Sequence, residues 1–197
     1  MKWFTKDEVR AAVAANNTEW LAEVLDHLGY ENKGSRTVLI DVGYTFMTTA
    51  FATAAIAAQN DTLDHSIIEL LIERTLPAIN IFDFAAGFLF ARGVVGADCD
   101  LIPDNIKKSL KDNEYNEVLG ATIQKMGGDE IDALLSFLVD EIETINISFF
   151  YPIIRHIYDE KLLSDAQLVM IIGFSLDEPK SSDMISELGK LLSGGLF

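Results

Sequence analysis

A chain of 197 residues with 49% hydrophobic and 23% charged residues carries enough apolar mass for one core or two small lobes, and too much to stay unfolded. Its formal charge of −16, from 31 acids against 15 bases, would repel a phosphate backbone over most of the surface, which argues against direct nucleic-acid binding. The single cysteine, Cys99, excludes an internal disulfide and with it a secreted disulfide scaffold, so a cytoplasmic protein is expected.

The N-terminal "MKWFTKDEVRAAVAANN" lacks the apolar core and small-residue cleavage site of a signal peptide. Thr5 followed by Glu8 predicts a capping box and a first helix. A second helix is expected from Asn17 through "EWLAEVLDHL" to Gly29, and "ENKGSR" is a loop.

The next stretch, "TVLIDVGYTFMTTAFATAAIAAQN", admits three readings. Residues 38–58 number 21, just enough to cross a bilayer. Asp41 opposes insertion by up to about 3 kcal/mol, against about 0.3 to 0.6 gained per strong apolar residue. The following apolar run is shorter and carries Asn80 and Asp83, so no membrane protein is expected. In the second reading, "LIDVGYT" resembles the first phosphate loop of the actin-like and sugar-kinase ATPase superfamily. That resemblance implies a strand and loop in which Asp41 handles a metal, Gly43 admits phosphate to the backbone and Thr45 supplies a hydroxyl. The family fold needs a β-hairpin next, whereas "FMTTAFATAAIAAQN" gives no turn signal for about 14 residues. The third reading is a helix with Asp41, Tyr44, Thr45, Thr48, Ala52 and Ala55 on one face, opposite Leu39, Val42, Phe46, Ala50 and Ala57. Small residues admit close neighbours, and a central core helix is the expectation.

Asp61 or Thr62 is expected to cap "LDHSIIELLIERTL", and Pro77 to open "PAINIFDFAAGFLFAR". "GVVGADCDLI" is the longest connection and Pro103 opens "PDNIKKSLK", which puts any lobe boundary near 96–103. "NEYNEVLGATIQKM" and "DEIDALLSFLVDEIETI" continue the helical periodicity, and "SFFYPIIRHIYDEK" reads as a helix kinked at Pro152. Ser164 and Gln167 form a capping box before "DAQLVMIIGFSL", and "DMISELGKLL" is the last helix. The expected fold is all-α, a compact bundle of about eight to eleven helices. It is either a single domain over 1–197 or two similar lobes, because "NNTEWLAEVL" and "KDNEYNEVL" echo one another about 95 residues apart.

Catalytic motifs are not found. The three histidines are scattered without His-x-x-x-His or Glu-x-x-His spacing, and neither a Gly-x-Ser-x-Gly elbow nor a Gly-x-x-x-x-Gly-Lys phosphate loop occurs. Asp98 and Asp100 flank Cys99 and disfavour a thiolate. No catalytic residue, metal or cofactor is expected. The densest constellation is "DEIDALLSFLVDEIE", with six acids and no base from Asp129 to Glu143. Helical spacing aligns Asp129, Asp132, Ser136, Asp140 and Glu143 opposite Ile131, Leu135, Leu138 and Ile142, which predicts a solvated carboxylate stripe. From Cys99 onward, 18 acids against 8 bases leave −10.

The expected function is an acidic interaction protein that binds, and inhibits, a basic or nucleic-acid-handling protein, of the immunity-protein or phage-inhibitor type. Asp129, Asp132, Asp140 and Glu143 are its candidate contacts. An alternative is a small-ligand enzyme or sensor with a pocket at Asp41 and Asp83, the latter neutralised by Arg74 or Arg92. A homo-oligomer would also account for the apolar excess.

Overall fold

The structure, a computed structural model, describes residues 4–28, 41–112, 117–141 and 150–176, without the side chains of 41–45, 77, 141 and 150. Among these residues the chain forms ten α-helices and two single-turn 3-10 helices; the one β feature is an isolated antiparallel bridge between Ile79 and Leu176. The chain is therefore an all-α, multi-helix fold. None of the described helices is long and apolar enough to cross a membrane.

Helix starts follow side-chain chemistry. In α1 (Lys6–Ala14), the Glu8 amide donates to Thr5 Oγ1 at 3.2 Å and the Thr5 amide donates to Glu8 Oε2 at 2.7 Å, the expected capping box. Asn17 opens α2 (Thr18–His27) by accepting the Trp20 amide at 3.1 Å. The continuous helix α3 (Asp41–Gln59) puts Asp41, Gly43 and Thr45 on a helix, where the phosphate-loop resemblance needed a turn.

Two expected starts move. Helix α4 (His65–Thr75) is capped by Asp64, which accepts the Ser66 amide at 2.9 Å, and not by Asp61 or Thr62. The reason is that those two close α3: Asp61 has φ +54°, its amide donates to Ala58 O at 3.2 Å and the Thr62 amide donates to Ala57 O at 2.9 Å. Pro77 sits in the 3-10 turn Leu76–Ala78, and α5 (Ile81–Ala91) starts only after Asn80, whose Oδ1 accepts the amides of Phe82 and Asp83. Pro103 does precede α6 (Asp104–Lys111). The remaining helices are α7 (Glu117–Ile123), α8 (Gly128–Glu141), α9 (Phe150–Asp159) and α10 (Asp165–Phe174). Pro152 lies in α9 near the edge of the described residues, and the start of the expected "SFFYPIIRHIYDEK" helix, on which a kink there depends, lies outside them. The expected "DMISELGKLL" helix lies outside the described residues.

The chain groups into two compact units, one comprising the described parts of 1–79 and 165–197, the other those of 80–164. In the first, α3 is central and packs against α1, α4 and α10. Its Phe46, Met47, Ala50, Phe51, Ala54 and Ala55 are fully buried, and the alanines give the neighbours room to approach. The Phe46 ring meets Phe4 edge-on at 5.1 Å and Trp20 at 6.4 Å. In the second unit α5 and the 3-10 turn Cys99–Leu101 pack on α8, and α7 packs on α9. The segment 96–103, where a lobe boundary was expected, lies within this unit.

Candidate functional site

The acidic helix α8 is not the amphipathic surface helix its spacing predicts. Every residue from Ile131 to Leu138 is buried, including Asp132 at 6% and Ser136 at 5% exposure. The carboxylate stripe is thus interrupted through its middle. Only its flanks reach water among the described residues: Asp129 and Asp140 are exposed. They stand eleven positions apart, about 16 Å along a helix, so they act as two separate charges and not as a chelating pair.

The interruption has a cause on α5. Arg92 Nε donates to Asp132 Oδ1 at 2.7 Å and Arg92 Nη2 to Asp132 Oδ2 at 3.0 Å, a two-pronged ion pair, while Nη1 reaches the Leu162 carbonyl oxygen at 3.3 Å. The Asp132 hydrogen bonds hold the guanidinium still further above its ordinary pKa. Local structure aims this arginine. Gly93, at φ +69°, ends α5 with its amide on Phe90 O at 3.1 Å and the Val94 amide on Leu89 O at 2.9 Å, which fixes Arg92 as the last capped residue. The guanidinium lies 5.6 Å from the Phe88 ring centroid. A Cβ at Gly128 would stand 3.1 Å from Arg92 Nη2, so the glycine at the start of α8 keeps that space open. With both carboxylate oxygens engaged by one guanidinium, Asp132 serves as an internal clamp and offers nothing to a partner.

Of the other candidates, Glu143 and the side chain of Asp41 lie outside the described residues. Asp83 is half-buried in the first turn of α5, where the helix N-terminus favours a carboxylate. Arg92, at the opposite end of that helix, is committed to Asp132; Arg74 Nη1 meets Asp26 Oδ1 at 2.5 Å. Among the described residues no group of three or more His, Cys, Asp and Glu side chains converges as metal ligands would.

Two residues make contacts within the second unit that spacing did not predict. One is Arg92. The other is His156, 6% exposed, whose Nε2–H donates to the Met126 carbonyl oxygen at 2.6 Å. The signal for a buried α8 was present in "IDALLSFLV", where two polar residues one turn apart interrupt an otherwise apolar run of nine. No protein-family model, curated protein or solved structure matches this chain.

Proposed function

We propose that this chain is an acidic interaction protein that binds, and inhibits, a basic or nucleic-acid-handling protein partner in the cytosol. The observation that carries this reading is the combination of a −16 formal charge with exposed carboxylates on the second unit at Asp98, Asp104, Asp112, Asp129, Asp140 and Asp159. Such a surface attracts a partner evolved to hold phosphate, steers its approach, and covers its basic groove. Asp132 drops out of the contact set, since its charge is spent on Arg92.

The test is a pull-down with the tagged chain, eluted by rising salt, followed by titration of the recovered basic partner. Asp129→Lys with Asp140→Lys is expected to weaken binding about tenfold at low salt and to flatten its salt dependence. Both positions are exposed, so melting temperature should stay within a degree or two and serves as the control. Unchanged affinity at low salt would remove α8 from the interface, and absence of any salt-released basic partner would remove the reading itself.

A further inference from the structure

Among the exposed large apolar side chains, three fall within residues 90–101 of the second unit: Phe90 at 61%, Val95 at 98% and Leu101 at 45%. Hydrogen bonds shape the backbone between them. The hydrogen bonds from Gly93 and Val94 fold the chain back over the last turn of α5, and Gly93 and Gly96 both take left-handed φ values, +69° and +71°. Asp98 then caps the 3-10 turn by accepting the Asp100 amide at 3.0 Å, and that turn packs on α8. Val95 therefore stands in water between these two hydrogen-bonded turns, five residues after Phe90.

The charges around it are mostly of one sign. Asp98, Asp100 and Asp104 are exposed; Arg92, the one base within residues 90–104, grips Asp132, and on the following α6 Lys107 Nζ lies 3.8 Å from Asp100 while Lys108 is exposed. A second copy of the chain would bring another −16 to this surface. A segment with Lys or Arg beside an apolar face would complement it.

We propose that residues 90–101 form a docking surface for a cationic amphipathic helix of a partner protein. Phe90 and Val95 meet the helix's apolar face, and Asp98, Asp100 and Asp104 its lysines or arginines. The proposal rests on the interaction reading above and names the chemistry of the partner.

The full-length chain is titrated, by fluorescence anisotropy, with two labelled peptides of about 18 residues and equal charge, one an amphipathic Lys/Leu helix and the other Lys/Ser. The Lys/Leu peptide is expected to bind about tenfold more tightly. Phe90→Ser with Val95→Ser should erase that difference while leaving Lys/Ser binding unchanged, and Ile56→Ser, at an exposed apolar position of the first unit, should alter neither. Equal binding of the two peptides, or a Lys/Leu affinity untouched by Phe90→Ser with Val95→Ser, overturns the docking surface while Lys/Ser binding still supports the acidic reading. Binding of neither peptide overturns both. Sedimentation of the free chain completes the test: a dimer that the same double substitution dissociates makes a second copy the occupant and overturns the cationic helix.

Discussion

Asp132 shows how one side chain's meaning depends on a partner forty residues away. Its bidentate contact with Arg92 is mostly shielded, with side-chain exposures of 9% and 25%. Removing one partner from such a pair leaves the other uncompensated. Asp132→Asn is therefore expected to lower unfolding free energy by about 3 kcal/mol in urea titrations, whereas Asp132→Leu combined with Arg92→Met should recover most of the loss. Additive losses in the double variant would show that the pair is not one coupled unit. The spacing of α8 identified Asp132 as a member of a polar stripe, but a stripe on one helix cannot say whether it faces water or a guanidinium on another. Asp64 gives the opposite case, an exposed carboxylate used locally. Its hydrogen bonds with Ser66 hold its carboxyl below the usual range. Its stabilising contribution is present above the ordinary carboxylate pKa and is lost as pH falls through the lowered folded value. Asp64→Asn keeps a cap acceptor without the charge, so wild type should melt higher near pH 6 and lose that advantage progressively as pH falls below the ordinary carboxylate range. A difference independent of pH would assign the cap to geometry alone.

At the scale of the element, helix beginnings and helix endings obey different chemistry. Thr5, Glu8 and Asn17 mark their helices in the sequence because a side-chain acceptor must be Ser, Thr, Asp or Asn to satisfy the free amides. The endings of α1, α3 and α9 were less visible. Each is closed by a left-handed residue that is not glycine: Asn16 at φ +52°, Asp61 at +54° and Lys161 at +50°. At Lys161 the same pair of bonds recurs, Lys161 amide to Tyr158 O at 3.2 Å and Leu162 amide to Ile157 O at 3.0 Å. A Cβ resists that conformation, so Lys161→Gly is expected to raise stability by about 0.5 to 1 kcal/mol, read as a melting temperature a few degrees higher. Asn16→Gly should give less, because Asn16 Oδ1 also accepts the Asp64 amide at 3.1 Å. Equal gains at both positions would mean that this link contributes nothing. The same distinction explains the misplaced start of α4: Asp61 has the composition of an N-cap but is occupied in ending α3.

At the scale of the molecule, the all-α class was readable because helical periodicity repeats in nearly every apolar run, and α3 read as a core helix because alanines and threonines alternate with bulky groups over its length. Grouping of the helices was not readable, since it depends on contacts between distant segments. The first unit is discontinuous in sequence: the chain leaves it after Ile79 and re-enters at Asp165, and α10 then packs on α3 and α4. Helices α4 and α10 run side by side in the same direction. His65 Nδ1 lies 3.8 Å from Asp165 Oδ2 at their first turns, and Ile79 bridges Leu176 beyond their last. The ten residues of α10 rise about 15 Å, so Ile79 and Asp165 stand roughly that far apart. A Gly/Ser linker of about ten residues has a root-mean-square span near 17 Å and would join them without strain. Replacing residues 80–164 by such a linker is expected to leave a helical protein that unfolds in one cooperative transition, because α3 keeps α1, α4 and α10 around it. A broad, non-cooperative melt or loss of the far-ultraviolet helical signal would show instead that the core around Phe46 and Phe51 needs residues 80–164 in order to form.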